Sequence, residues 1–305
     1  MVSPSEQTDA LVKTIQQIGG LIGLRVHRGV SVHPPGDVVS IEVTTAGLFQ
    51  LLPVLDDAGV GVQSSTSAST SVPKSIITAS EAAETLATEA NELSWEEMEL
   101  TIGNESNMSV NNLIVMAISG ILAAIGISTD SLHLVIGAMV IAPGFEPITR
   151  VSLGLVARGR AWRRGLADIA KGYLSLAIAA AIMALVLKTL GTPPLGGSET
   201  YLPAGALTSY WTTITATGLI ATAVASIAGA VLISSNGSVL TAGVMIALAL
   251  VPSATIASMA LVTGDLDTAG KALLRWSMEV ASVAAFSALV FLWKRTALQP
   301  RPTRL

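Results

Sequence analysis

The sequence contains no cysteine, little charge and few aromatic residues. Without cysteine the chain has no disulfide, no thiol nucleophile and no Cys-bound zinc or iron–sulfur centre. Three histidines leave little for a His-built metal site, so we expect neither a metal nor a cofactor. Charged residues make up 12% of the chain and hydrophobic residues 51%, whereas an ordinary soluble domain carries about 25% charged residues. This composition argues against both a soluble globular protein and a disordered chain.

The charged residues are divided unevenly along the chain. Residues 1–108 contain 14 acidic and 4 basic residues, and residues 109–305 contain 7 acidic and 13 basic residues. The two parts therefore have different surroundings. No basic surface interleaved with aromatic residues points to nucleic acid as a partner. Residues 1–10 lack the basic and apolar pattern of a signal peptide.

Residues 1–72 predict a small cytoplasmic α+β domain. Its predicted elements follow the order α-β-β-α-β, at residues 8–18, 21–32, 38–44, 46–57 and 60–64. This order resembles part of a ferredoxin-like or ACT-like domain, although the leading strand of that fold is not visible in the sequence. The acidic linker 73–109 is predicted to be helical, with a capping box at Ser94 and Glu97. It is either a solvated connector or a relay of motion from the soluble domain.

Six apolar runs predict a transmembrane domain at residues 110–293, ahead of a basic tail at 294–305. The runs cover residues 111–127, 131–157, 166–190, 213–234, 238–263 and 272–291. Most are long enough to cross about 30 Å of hydrocarbon. Arginines concentrate at residues 158–164 and lysine and arginine in the tail, while Lys188, Lys271 and Arg275 lie near outer helix ends, where they can snorkel. The positive-inside rule therefore predicts a multi-pass protein of the cell (inner) membrane with both termini in the cytoplasm.

An internal repeat relates residues 111–190 to residues 213–291. Residues 121–139 align with 227–245, and after a one-residue deletion Pro147 aligns with Pro252. Matched prolines and glycines mark backbone breaks, although coincidence among low-complexity helices is the alternative. Each copy has three spans, so the second enters the membrane from the opposite side. Such inverted repeats recur in secondary transporters.

The second and fifth runs are predicted to be interrupted. As one straight helix, residues 131–157 would be about 40 Å long, more than the hydrocarbon thickness. This run contains Pro143, Gly144 and Pro147, and its partner contains Pro252 and Ser253. Because each proline removes a backbone donor, the run must tilt strongly, kink or split. Paired interruptions point to a substrate or ion site near the middle of the membrane.

Glu146, Arg150 and Glu279 are charged residues predicted to lie inside the spans. Glu146 and Arg150 are four residues apart and can pair on one helix face. This pair either fixes helix packing, contacts a substrate, ion or proton, or lies nearer the inner interface. Glu279 is either a hydrogen-bonded core residue or a protonatable coupling site. Asp168 and Lys171 are predicted to form a local ion pair.

Three polar residues lie where the second and fifth runs begin. Asp130 and Asn236 are equivalent in the repeat and predicted to be N-caps. His133, one turn into the second run, is predicted to be a hydrogen-bonded core residue, with a proton relay as the alternative. Together these three residues form the candidate helix-start or gate positions.

Two stretches of sequence resemble a known family. ILAAIGISTDSLHLVIGAMVIAPGFEPI (residues 121–148) and GVMIALALVPSATIASMALVTGD (residues 243–265) are similar to hallmark stretches of the bacterial and archaeal membrane proteins catalogued as domain of unknown function 389. EEMELTIGNES (residues 96–106) is similar to the segment that precedes the first span of that family. The resemblance extends from about Val38 to Leu292. It implies six helices and a variable N-terminal domain, and no activity.

The sequence departs from the family pattern at three positions. Glu146 stands where a small residue is usual, Ser253 replaces the second proline of a pair, and Glu279 stands where an asparagine is expected. These departures concentrate unusual carboxylates in this chain. They put in doubt a polar site shared by the whole family.

Three functions compete on the sequence alone. The first is a secondary transporter or channel for an ion or small solute, regulated by its soluble domain. The second is a non-transporting membrane sensor or assembly scaffold. The third, an intramembrane enzyme, is disfavoured because HExxH, GxSxG and Walker motifs are absent, although a carboxylate pair of Glu146 and Glu279 stays open. Partners are the lipid bilayer and an unknown ion or solute, and Gly/Ala-rich helix faces are compatible with a homo-oligomer.

Overall fold

The chain divides into two compact units, residues 1–94 and residues 95–305. The computed structural model describes residues 2–3, 5–58, 98, 102–103, 106–159, 161–190, 205–235, 244 and 248–298. The predicted strand at 60–64, Ser94, Glu97 and Asn236 lie outside the described residues, as does most of the acidic linker. The domain boundaries at residues 72 and 109 therefore stay predictions.

The described part of the N-terminal unit, within residues 2–58, is a small sheet covered by two helices. Its elements are β1 (Val2–Ser3), α1 (Ser5–Ile15), β2 (Leu21–Val32), β3 (Pro35–Val43) and α2 (Thr45–Asp57). The strand order is β1-β3-β2, and both pairings are antiparallel. β1 and β2 are therefore parallel with β3 between them, as in the split β-α-β arrangement of ferredoxin-like domains.

The core of this unit lies between the helices and one face of the sheet. Leu11 and Ile15 of α1, Ile18 after it and Leu51 of α2 are buried, and apolar residues of β2 and β3 pack against them. The predicted helices and hairpin are present, but β3 begins three residues earlier than predicted. The leading strand missing from the sequence pattern is β1. With two residues, it is too short to display an alternation.

In the second unit the described residues form helices joined by short connections. They are α3 (Val110–Ser128), α4 (Leu132–Ile141), α5 (Glu146–Val156), α6 (Ala161–Leu190), α7 (Ala206–Thr212), α8 (Ala216–Ile233), α9 (Leu250–Thr263) and α10 (Leu266–Trp293), which a π-helical turn extends over Lys294–Leu298. Three of these helices, α3, α8 and α10, begin at an N-cap residue whose side chain accepts a backbone hydrogen bond. Asp265 accepts a hydrogen bond from the backbone N–H of Thr268 at the start of α10. Hydrogen bonds from the Thr268 side chain and backbone lower the pKa of Asp265.

Four helices, α3, α6, α8 and α10, are long and apolar enough to cross a membrane. α4 and α5 count as a fifth span if they are taken together, and they are bent by 44° at the break between them. The second predicted run therefore splits. α9 has only 14 residues, so the described residues support four or five spans rather than the six predicted. The remainder of the fifth predicted run falls largely outside the described residues.

Interior contacts between these helices use small residues and hydroxyl groups. α3 packs against α6, and α5 packs against both α6 and α10. The Ser175 hydroxyl of α6 donates to the carbonyl of Leu113 at 2.9 Å. The Ser152 hydroxyl of α5 donates to the carbonyl of Ala284 at 2.8 Å. Small residues and interhelical hydrogen bonds of this kind are typical of helices packed in a membrane.

The outer faces of the helices are apolar. On α6 the exposed residues Leu174, Ile178, Ile182 and Leu185 follow helical spacing, and similar residues are exposed on the other long helices. Soluble monomers rarely expose a continuous apolar surface of this extent. The helical unit is therefore compatible with a multi-pass membrane protein.

Candidate functional site

The first predicted interruption lies between α4 and α5. Residues 142–145 are not helical, and α5 begins with Glu146 followed by Pro147. The break leaves the Gly144 carbonyl outside the helix ladder, and the buried Tyr173 of α6 donates its hydroxyl to this carbonyl at 3.5 Å. Pro143, Gly144 and Pro147 thus lie at a break held inside the unit. In membrane proteins, non-helical backbone within the bilayer is tolerated only where it is buried against protein or lines a water-filled cavity.

The second interruption lies at the start of α9. Its N-cap, Ala249, provides no side-chain hydrogen bond, and Pro252 is the third helical residue, where a missing N–H costs little. Both Pro252 and Ser253 are buried. The Ser253 hydroxyl donates to the carbonyl of Trp211 at 3.3 Å, which ties α9 to the end of α7.

Glu279 of α10 lies fully buried at this second interruption. Its Oε1 accepts a hydrogen bond from Arg275 Nε at 2.8 Å, and the carboxylate faces the backbone N–H of Ala249. The Oε2 atom is buried and has no hydrogen-bond partner among the described residues. Arg275 Nη1 also donates to the carbonyl of Thr213 at 3.3 Å.

Arg275 corrects a prediction made from the sequence. We expected it to snorkel from an outer helix end, but its side chain is 8% exposed and pairs inside the unit. In a sequence this apolar, a residue near a helix end cannot be told from one in the helix interior. How deeply Arg275 is buried therefore depends on how the helices pack. The spacing of four between Arg275 and Glu279 was the available signal, because residues so placed share one helix face.

Tyr173 links the two interruptions. Its ring contacts the ring of Trp276 edge to face, with centroids 5.1 Å apart. The tyrosine also interacts electrostatically with Glu279 and with Glu146. The two predicted carboxylates therefore share one neighbourhood of the interior. Tyr173 was not predicted as a site residue, because an isolated tyrosine within an apolar run is a weak signal in a sequence.

Arg150 is buried on α5 and pairs with α6. Its Nη1 lies 3.2 Å from Asp168 Oδ2 and 3.3 Å from the hydroxyl of Ser106. The sequence favoured Glu146 as the partner of Arg150, and Lys171 as the partner of Asp168. The observed pair joins α5 and α6, two consecutive helices that pack against each other. A partner 18 positions away can therefore lie closer than one four positions away on the same helix.

Asp130 and His133, the two predicted gate residues that the structure describes, lie at the opposite end of α4 from the first interruption. Asp130, in the left-handed region with φ 48°, accepts a hydrogen bond from the backbone N–H of Leu207 at 3.4 Å. It therefore contacts the start of α7, whereas Ser131 is the N-cap of α4. His133 is exposed and hydrogen-bonds to Ser131, so its prediction as a core residue is wrong. Among the residues that the structure describes, no three His, Asp or Glu side chains are arranged to hold a metal ion.

Comparison with known proteins finds a family model that matches part of this unit. Residues 139–285 match the family model described as Domain of unknown function (DUF389), so the resemblance predicted from the sequence is confirmed over that segment. An uncharacterized protein of Methanocaldococcus jannaschii, MJ0678, is 25% identical over 207 residues, which make up 67% of this chain and 60% of the relative. The chain thus spans less than two thirds of that relative's length. No solved structure matches the chain.

Proposed function

We propose that this chain, whose residues 139–285 belong to the DUF389 family, is a membrane transporter or channel for an ion or small solute. Its site lies in the interior of the helical unit, where two helices begin at proline-containing breaks. One is α5, which follows Pro143, and the other is α9, which contains Pro252 in its first turn. Discontinuous helices with their ends in a bundle interior form the substrate sites of many secondary transporters.

The buried Glu279 carboxylate carries this proposal. Glu279 lies on α10, fully buried inside an apolar helical unit and beside the start of α9. One of its carboxylate oxygens has no hydrogen-bond partner among the described residues. An ionised side chain at the centre of a bilayer costs about 2.5–3.5 kcal/mol on insertion scales. Residues that bear such a cost commonly mark ion or substrate pathways.

The contacts between helices support the proposed inverted repeat of residues 111–190 and 213–291. If α3, α5 and α6 are exchanged with α8, α9 and α10, the α3–α6 contact maps onto α8–α10 and the α5–α10 contact onto α9–α6. Pro147 is the second residue of α5, and Pro252 is the third residue of α9. Two units of three spans each would then face opposite sides of the membrane.

Contacts at the two ends of the helices support six spans with both termini in the cytoplasm. Arg295 donates to the carbonyl of Val156, so the two basic segments predicted to be inside meet at one end of the helical unit. Asp130 meets Leu207, and both were predicted to be outside. In this proposal the N-terminal unit is a cytoplasmic regulator, and the chain is not an enzyme.

Transport by purified protein tests this proposal. The full chain is reconstituted into liposomes, and uptake of radiolabelled inorganic ions, amino acids and small organic acids is measured with and without a pH gradient. We expect saturable uptake of at least one solute above protein-free liposomes. We expect net uptake to fall at least tenfold in Glu279→Gln, because the buried carboxylate is lost.

Asp267→Asn provides the matched control on the same helix. It removes an exposed carboxylate from the Lys271–Asp267 pair at the start of α10, and uptake should stay at the level of the unmodified protein. Melting temperatures of both variants establish that they are folded. Uptake no greater than in empty liposomes for every solute and gradient would contradict the proposal.

The alternative is a non-transporting sensor or scaffold, and the pairing of Arg150 favours it. Arg150 and Asp168 neutralise each other inside the unit, as expected of a dry and well-packed scaffold. The liposome uptake assay distinguishes the two functions. A sensor or scaffold should take up no solute, although its N-terminal unit could still bind a ligand.

A further inference from the structure

We infer that Arg275 and the start of α9 form a binding site for a small monocarboxylate, which binds together with a proton that Glu279 takes up. This inference rests on the proposed function and specifies its substrate class. The Glu279 side chain is itself a carboxylate held at this place, and it indicates what the site accepts.

The Arg275 guanidinium is the anchor of the proposed site. It is buried between α10 and the start of α8, where it donates Nε to Glu279 and Nη1 to the carbonyl of Thr213. Gly218 makes room for it, because a Cβ atom there would lie only 3.0 Å from Nη1 and 3.1 Å from Nη2. A planar guanidinium matches the two oxygens of a carboxylate in geometry and charge.

The start of α9 supplies the second attraction for an anion. First-turn N–H groups have no acceptor within their own helix, and the helix dipole places partial positive charge there. The Ala249 N-cap has no side chain that accepts from these donors, and the Glu279 carboxylate faces the backbone N–H of Ala249 itself. Glu279 Oε2 is fully buried without a partner among the described residues. The Glu279 carboxylate therefore fills the proposed site with only one of its two oxygens hydrogen-bonded to a side chain.

The charges around Glu279 require a proton to accompany the incoming anion. Arg275 is the cation on its own helix, and α6 contributes Tyr173. α7, α8 and α9 contain no Asp, Glu, Lys, Arg or His, and the only titratable side chain among them is the exposed Tyr210. α5 contributes Glu146, together with Arg150, which pairs with Asp168.

A second carboxylate beside Arg275 would thus add an uncompensated negative charge to the interior. If Glu279 takes a proton from the aqueous side, its bond to Arg275 weakens and the incoming carboxylate takes its place. One proton and one monocarboxylate enter the site and leave it together. The net charge of the site is the same before and after, which avoids the cost of burying an unpaired ion.

Binding of lactate to the full chain in detergent tests the site. The melting temperature of the protein is measured at increasing concentrations of sodium lactate. Sodium chloride at equal ionic strength and neutral lactamide serve as controls. We expect saturable stabilisation by lactate alone. Its apparent affinity should be at least tenfold higher at mildly acidic than at mildly alkaline pH, because Glu279 must be protonated.

Two variants separate the roles of the pair. In Glu279→Gln, which mimics the protonated side chain, lactate should still bind and the pH dependence should be lost. In Arg275→Lys, affinity for lactate should fall at least tenfold, because the fork is lost and the charge is kept. Lys271→Gln, on the exposed side of the same helix, should bind lactate as the unmodified protein does.

The outcomes distinguish this inference from the proposed function. Uptake of some other solute with no stabilisation by lactate overturns the monocarboxylate site and leaves transport standing. Lactate binding without uptake of any solute supports the site and overturns transport. Equal stabilisation by lactamide, or affinity for lactate unchanged in Arg275→Lys, also overturns the inference.

Discussion

Two arginine side chains lie in the interior of the helical unit, and each is neutralised by a carboxylate. Arg150 pairs with Asp168 between two helices, and Arg275 pairs with Glu279 along one helix. A buried charge without a partner lowers the stability of the folded protein by several kcal/mol, whereas an intact buried pair contributes little net stability. The pairs therefore constrain which helix faces turn inward more than they add to stability.

Removal of one member of a buried pair should be costly. We expect Asp168→Asn to destabilise the folded protein by about 3 kcal/mol, because Arg150 is left charged and buried. The measurement is thermal unfolding of the purified protein in detergent. Asp267→Asn removes an exposed carboxylate from an i,i+4 pair and should cost no more than about 0.5 kcal/mol. Similar losses in the two variants would contradict this account.

Helices of the second unit approach closely where glycine lies at the contact. A Cβ atom on Gly120 of α3 would overlap the backbone of Leu176 on α6, and one on Gly229 would overlap the ring of Phe145 at the first break. Without a hydrophobic force between helices in lipid, such close packing is a main source of their association. These glycines therefore hold the long helices against each other and against the break.

Substitution of these glycines should depend on the contact rather than on the helix. We expect Gly120→Ala to destabilise the protein by about 1–3 kcal/mol, because the backbone of Leu176 must move. Gly137→Ala is the control, since nothing lies within 4 Å of its Cβ position on α4. Melting temperatures in detergent compare the two. Equal effects would show that the α3–α6 contact is not the cause.

At the scale of the element, the sequence predicted the long helices well. The runs at 111–127 and 166–190 became α3 and α6 with ends within five residues, because helices in lipid must satisfy all their backbone groups internally and so form long apolar stretches. The break after Ala142 followed from Pro143. The two-residue strand β1 was missed, because its pairing with β3 depends on tertiary contact alone.

At the scale of the whole molecule, the number of crossings decides the topology. An even number returns the C-terminus to the side of the N-terminus, and the inverted repeat requires three crossings in each copy. The described helices account for four or five spans. The side on which the tail lies therefore distinguishes six spans from five.

The absence of cysteine makes this topology directly measurable. Single cysteines are introduced as Ser71→Cys, Arg160→Cys, Ser198→Cys and Thr303→Cys, and intact cells are treated with a membrane-impermeant maleimide. We expect labelling of Ser198→Cys alone, with the other three labelled only after permeabilisation. The cysteine-free protein is the control. Opposite sides for Ser71→Cys and Thr303→Cys would exclude an even number of spans.

The amino-acid sequence alone was enough to predict a multi-pass membrane protein, its long apolar helices and the place of the proline break. These properties are local, since they follow from composition and from which residues lack a backbone donor. Which side chains pair with each other depends on how the helices pack. Asp168 reaches Arg150, and Glu279 lies at the start of α9, because helices distant in sequence fold against each other. A periodic pattern records which face of a helix is apolar, and it does not record which helix that face meets.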